Sequence, residues 1–208
     1  VVDGIDDSTG KITAIDKLFH NYDTKYILSG SSDFYTERIK EICGATQSTR
    51  KQMEALIKTN IPLLSKIENQ YGSIDLCYKK YITEDSTLKG LIEKLSSPES
   101  LLKMNQMGEA LNAEYLRNVG YDIAKPDRHI RRILGSKILG CSNCENVPIY
   151  EAMDIIQSIA EQMGKHCAEV DYLLWMYCAN GYGEVCTVRN PKCNICVIRN
   201  ICNSERSI

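Results

Sequence analysis

The amino-acid sequence predicts an all-α protein. Apolar residues recur at spacings of three and four almost throughout, few runs alternate with period two, and four of the ten cysteines crowd into residues 186–202. Met53, Leu56, Ile57, Leu63, Leu64 and Ile67 form one stripe, interrupted by Pro62, which should kink or split that helix. Leu88, Leu91, Ile92 and Leu95 mark another, ending at Ser96-Ser97-Pro98. Gln106-Met107-Gly108 reads as a hairpin-like break, followed by a helical pattern through Ala110, Leu111, Ala113, Tyr115, Leu116 and Val119 that Gly120 stops. Asp127 precedes a helix from Arg128 to Leu134. Pro148 opens the next at its first helical position, and Met153, Ile155, Ile156, Ile159, Ala160 and Met163 carry it for about four turns as a core stripe. One more helix begins over Glu169 to Tyr177 and leads into the cysteine-rich tail. No repeat and no low-complexity tract interrupts this order.

A chain of 208 residues, 43% of them apolar, has enough material for a sizeable core without disulfides. No stretch approaches the ~20 apolar residues of a membrane helix, and the opening VVDGIDDSTG lacks the basic-then-apolar pattern of a secretory signal. The net charge of −2 excludes coating of nucleic acid by bulk charge. Charge is unevenly placed, however: residues 117–140 carry +4, residues 186–208 carry +3, and the remainder carries −9. A basic minority face on an acidic body suits a polyanion held at one groove, although charge runs on helices are usually solvated faces.

Clustered cysteines in such a chain point to metal rather than to a disulfide scaffold. Cys186, Cys193, Cys196 and Cys202 are separated by six, two and five residues, with Pro191 turning the chain between the first two. Zinc sites are usually built from two C-x2-C knuckles, and only one exists here. An iron-sulfur cube accepts unequal ligand spacings, so a [4Fe-4S] cluster fits better than zinc or unmetallated thiols. Cys141 and Cys144 form a second C-x2-C, but two ligands do not close a site and GCSNCENVP reads as a polar loop. Cys43, Cys77, Cys167 and Cys178 sit in or beside apolar segments and read as small buried hydrophobes.

Two helices joined by a tight turn at Gln106-Met107-Gly108 leave free backbone N–H groups at the start of the second, where they can hold a phosphate. Asp127, just after Pro126 and before a helix, is a natural N-cap. With the hairpin ending at Gly108, the Gly/Pro-containing loop with Asp127, and the C-x6-C-x2-C-x5-C tail in that order, the chain resembles the helix-hairpin-helix DNA glycosylase superfamily. The resemblance is to its endonuclease III-like branch and runs from about Phe34 to Cys202.

That resemblance implies two helical lobes flanking a DNA-binding groove: a helical barrel over residues 34–135 that includes the hairpin, and an iron-sulfur domain made of residues 1–33 plus 136–208. It implies a base-excision repair enzyme that flips a damaged or mismatched base out of duplex DNA and hydrolyses its N-glycosidic bond. Asp127 is then the carboxylate that stabilises positive charge on the sugar. Gln47 is similar to a glutamine pushed into the base stack, and Gln106, Met107, Gly108, Arg128, His129 and Arg131 become DNA contacts. Glu41 is a candidate acid for the leaving base, with a solvated surface role as its bland alternative. Bifunctional members carry a Schiff-base lysine two residues after the last hairpin glycine. Here that position is Ala110, and neither Lys103 nor Lys125 matches it, so a monofunctional glycosylase without lyase activity is implied. The resemblance further implies a monomer acting on double-stranded DNA with no membrane partner, in the cytoplasm at a prokaryotic nucleoid or in a eukaryotic nucleus. Two other classes remain open on the residues: a DNA-damage-binding protein that does not cut, and an iron-sulfur redox or electron-transfer protein.

Overall fold

A computed structural model describes residues 8–44, 46–85 and 87–204. The opening VVDGIDD, Ala45 of the Gly44–Thr49 segment, and Glu205 and Arg206 of the basic tail lie outside these residues. Among the described residues the chain is all-helical with no strand, as the periodicity predicts. It divides into two compact units at Gln106/Met107. The lobes expected from the resemblance, 34–135 against 1–33 plus 136–208, divide the chain differently.

The first unit carries α1 (Lys11–Leu18), α2 (Thr24–Ser29), α3 (Ser32–Cys43), α4 (Thr49–Ala55), α5 (Ile61–Tyr71), α6 (Ile74–Asp85) and α7 (Leu88–Ser96). Short polar side chains start several of them: Asp23 accepts the amides of Lys25 and Tyr26, Ser31 that of Phe34, and Thr87 that of Gly90. Phe19, Ile27, Tyr35 and Ile61 make one core, with the Phe19 and Tyr35 rings stacked at 5.1 Å. Leu91, Ile92 and Leu95 of α7 are fully buried, so its stripe faces inward as the spacing predicts.

Pro62 leaves a visible mark. Between α4 and α5, residues Leu56–Asn60 form a single π turn. A proline inside a helix lacks an amide and crowds the carbonyl four residues back, and the wider turn accommodates both without breaking the helix. The chain from α7 towards the next helix is not one tight turn. Ser97 and Ser100 each accept an amide two residues on, Pro98 offers none, and two successive turns replace a helical run before the chain returns to Leu95, whose carbonyl accepts from Met104 N at 2.9 Å.

The second unit holds α8 (Glu109–Asn118), α9 (Arg128–Ile133), α10 (Ile149–Met163) and α11 (Cys167–Cys178), then two 3₁₀ turns at Cys193–Ile195 and Arg199–Ile201. Pro148 is the residue before α10 rather than its first helical residue. Ile130, Ile133, Leu134, Val147, Ile156 and Val170 form the centre of a core that also takes in Cys178 and Cys202. α9 packs against both α10 and α11. Of the four cysteines read as core, Cys77 and Cys178 are buried and Cys167 half-buried, whereas Cys43 is exposed, because α3 ends there and its thiol turns back to the Ile39 carbonyl at 3.4 Å.

Gly135, directly after α9, lies against the backbone of the loop that returns to α10. A Cβ there would stand 2.1 Å from the Glu145 carbonyl oxygen, which no side-chain adjustment relieves. Gly135→Ala is therefore expected to destabilise the protein by about 1–3 kcal/mol, read as a lower urea midpoint at unchanged slope.

Candidate functional site

The site of the second unit is built on α9, a helix of six residues held at both ends. At its start Asp127 adopts an extended backbone, and its Oδ1 accepts the amides of His129 at 2.7 Å and Ile130 at 3.2 Å. This fixes the carboxylate and uses one oxygen as a cap. At its end Arg132 reaches the cysteine tail: Nη1 lies 3.6 Å from Cys186 Sγ, and Nη2 donates to the Cys186 carbonyl. The Nε of Arg132 is buried with no hydrogen-bond partner.

The tail closes on α11 and on the segment after α9. The Tyr177 carbonyl accepts the amides of Val185 and Cys186, each at 3.0 Å. The Tyr177 hydroxyl donates to Cys196 Sγ at 3.1 Å and accepts from Val197 N at 3.2 Å. Burial and that donation to sulfur push the Tyr177 hydroxyl up to about 12. Cys202 is buried in the core, and the following Asn203 bonds the carbonyls of Ile138 and Ser136 at 2.8 and 2.7 Å. The Cys186 thiol is drawn down to about 6, chiefly by a hydrogen bond from Cys178, with Arg132 adding to it against burial. Cys178 is raised in turn because its proton is committed to Cys186 and it is buried.

Donors aimed at two of the four sulfurs, a thiol already drawn towards thiolate, and a tail pinned by backbone bonds on either side suit ligands of a polar metal-sulfur group. Among the described residues no three His, Cys, Asp or Glu side chains gather about one ion position. Cys141 and Cys144 are both exposed, in a loop held by its backbone: Cys141 N donates to Leu134 O and Ser136 N to Cys144 O, both at 3.0 Å.

The other residues singled out by sequence fall in both units. Gln47 is exposed in a turn ahead of α4, and Gln106 is exposed with a left-handed φ of 60°. Met107 is half-buried, its carbonyl taken by Asn112 Nδ2 at 3.2 Å. Gly108 stands at the start of α8 with extended backbone, no side chain caps that helix, and a Cβ added at Gly108 would meet nothing within 4 Å. Arg128 is exposed, while His129 is half-buried with Nδ1 shut off from any partner. Arg131 donates through Nε to the Val147 carbonyl at 2.6 Å, so part of its guanidinium is already spoken for inside the fold. Glu41 is exposed and paired with Arg38, and Lys125 pairs with Glu114 at 3.0 Å.

Sequence reasoning did not single out Asp171 of α11. It is 3% exposed, with Oδ2 on Arg117 Nη1 at 2.6 Å and Oδ1 without a partner. Arg117 belongs to α8, so the pair bolts α8 to α11. Burial pushes the Asp171 carboxyl from 3.8 up to about 6, and the Asp127 charge adds to this; Arg117 and the Lys125 amide pull the other way. A carboxylate whose folded pKa is raised makes folding less favourable once ionised, so its contribution worsens as pH rises from 3.8 to about 6. Asp171→Asn is expected to gain stability relative to the wild type between about pH 4 and about pH 7, by an amount on the order of 3 kcal/mol. Urea unfolding of both proteins across that range is the measurement.

Residues 186–202 match the family described as the iron-sulfur binding domain of endonuclease III. No curated protein and no solved structure matches the chain. Among the described residues no helix is long and apolar enough to cross a membrane. The matched family binds a [4Fe-4S] cluster through its C-terminal cysteines, and this chain has them at 186, 193, 196 and 202. Cys193→Ala and Cys196→Ala are expected to lose iron and the brown colour of the protein. Cys178→Ala, next to a ligand but outside the set, is expected to keep both, as iron and sulfide analysis of the purified proteins will read. Residues 186–202 are thus similar to the iron-sulfur binding domain of endonuclease III, and the cofactor is a [4Fe-4S] cluster.

Proposed function

We propose that the protein is a monofunctional DNA glycosylase of base-excision repair. It flips a damaged or mismatched base out of duplex DNA and hydrolyses the N-glycosidic bond with Asp127 beside the sugar. The observation that carries this reading is the double tether of α9: the helix that Asp127 caps is held through Arg132 to Cys186, the first cysteine of the endonuclease III-type loop.

Each part has a physical role. Positive charge develops on the sugar as the bond to the base breaks, and a carboxylate fixed by two amides needs no reorganisation to meet it. Its second oxygen is left for the sugar or for the attacking water, since Oδ1 serves the cap. Uncapped amides at the start of α8, beside a glycine with open space around it, suit a phosphate oxygen at close range. Arg128 adds charge from the exposed face of α9. The [4Fe-4S] cluster, when bound, supplies a rigid nucleus for a small basic loop rather than a reacting atom. Ala110, in the first turn of α8, offers no amine for a Schiff base, so water is the nucleophile. In this reading residues 34–135 form the barrel lobe, residues 1–33 plus 136–208 form the cluster lobe, Gln47 enters the stack, and the protein acts as a monomer at the nucleoid or in the nucleus.

The test is a panel of duplexes bearing uracil, oxidised purines, oxidised pyrimidines or alkylated bases, treated with wild type and Asp127→Asn and developed with and without alkali. Strand breaks that need alkali, reduced about 10²–10³-fold in the variant, are expected. Asparagine is as good an N-cap as aspartate, so the variant folds and the loss reads chemistry. Breaks without alkali, with a borohydride-trapped complex, overturn the monofunctional assignment. Tight binding of a lesion with no abasic product moves the damage-binding reading ahead, and absence of salt-dependent duplex binding favours a redox protein.

A further inference from the structure

The π turn of the first unit presents one side chain that neither the core nor the cysteine tail explains. Asn60 is its last residue and is 6% exposed. Asparagine is a poor choice inside a helix, and a buried carboxamide demands partners on both ends. It finds them 45 residues away: Oδ1 accepts from Asn105 N at 2.8 Å, and Nδ2 donates to Asn105 O at 3.0 Å. Thr59 Oγ1 lies 3.2 Å from the same Oδ1 and 2.6 Å from the Ala55 carbonyl, bracing the carboxamide from the helix side. Both backbone groups of Asn105 are thus held by one side chain, as a neighbouring strand would hold them.

Asn105 is itself exposed, and the next residue is Gln106 with its φ of 60°. A left-handed conformation is uncommon for a residue other than glycine and persists where the surroundings over-determine it. Here the two-point clamp on the preceding residue supplies that determination. Gln106 leads directly into Met107 and Gly108, the segment read as meeting the phosphate backbone.

We propose that Asn60 is a positioning residue for duplex binding: from the π turn its carboxamide holds Asn105 by both backbone groups and so presets the turn at Gln106 that receives a phosphate. This rests on the DNA-binding reading above. A regular α-helix through residues 56–60 has a different phase, so the π turn and the clamp are parts of one device.

The experiment uses the full chain with its cluster and a duplex carrying one abasic-site analogue, which fixes the register. Single phosphates are replaced in turn by uncharged methylphosphonates, and affinity is measured for wild type, Asn60→Ala and Gly108→Asp. Asn60→Ala leaves Asn105 to water, so it is expected to keep its cluster and its cooperative unfolding while binding about tenfold more weakly. Its interference profile is expected to lose one phosphate position, the same one lost in Gly108→Asp. Asn60→Ser is uncharged and too short to hold both backbone groups of Asn105; it serves if the alanine variant fails to fold, with the same position expected to be lost. A uniform weakening with every phosphate position retained, or wild-type binding by a folded variant, overturns the inference and leaves the DNA-binding reading standing. Wild type that does not bind the duplex overturns both, and does so before any variant is made.

Discussion

Arg132 holding Cys186 is the contact on which the second unit turns. Alone, a helix of six residues is far too short to persist in water. α9 exists because Ile130 and Ile133 are buried, because Asp127 satisfies amides at its start, and because Arg132 anchors its other end to the tail. Through this one helix the geometry of the carboxylate and that of the cysteine loop become a single problem. Arg132 is half-buried, and its bonds to the Cys186 carbonyl and sulfur, a thiol drawn towards thiolate, tie the tail to α9.

The same logic recurs at the buried Asp171–Arg117 pair, with the opposite balance. Its geometry is good, yet one carboxylate oxygen has no partner and the dry surroundings raise the group well above an ordinary aspartate. A pair of this kind is weak evidence for stability and stronger evidence for specificity of packing, since it fits only one arrangement of α8 and α11. It also stands within electrostatic reach of Asp127, whose charge adds to that upward push.

What could be read from sequence was what local chemistry writes into a few consecutive residues. The stripes of α7 and α10, the disturbance at Pro62 and the cap at Asp127 depend on neighbours within about two turns, and the four cysteines lie within one short run of the tail. The helix end at Ser96-Ser97-Pro98 is likewise local, but the two serine turns that follow it depend on hydroxyls competing with helix, which apolar spacing does not show. Cys43 was placed in the core by its neighbours but sits where a helix ends. The contacts made by Asn60, Arg132, Asp171 and Cys178 are not legible for a different reason. Asn60, Arg132 and Asp171 act on partners 45 or 54 residues away, and Cys178 acts across the turn into the tail, so none carries a periodic signal. The one available hint was chemical: asparagine in a helix and aspartate amid apolar residues of α11 are both out of place locally, and such misfits are where tertiary structure or function makes its own demand.

The π turn also changes what kind of sequence variation this segment can absorb. A π turn is an α-helix carrying one residue too many, and each residue advances a helix by about 100°. Between Leu56 and Asn60 many side chains could be exchanged for others of similar size and leave the path of the chain as it is. Deleting a single residue there, whatever its identity, would swing α5 and all that it buries round its axis relative to α4. In this stretch it is the count of residues, more than their kinds, that drift in sequence must preserve.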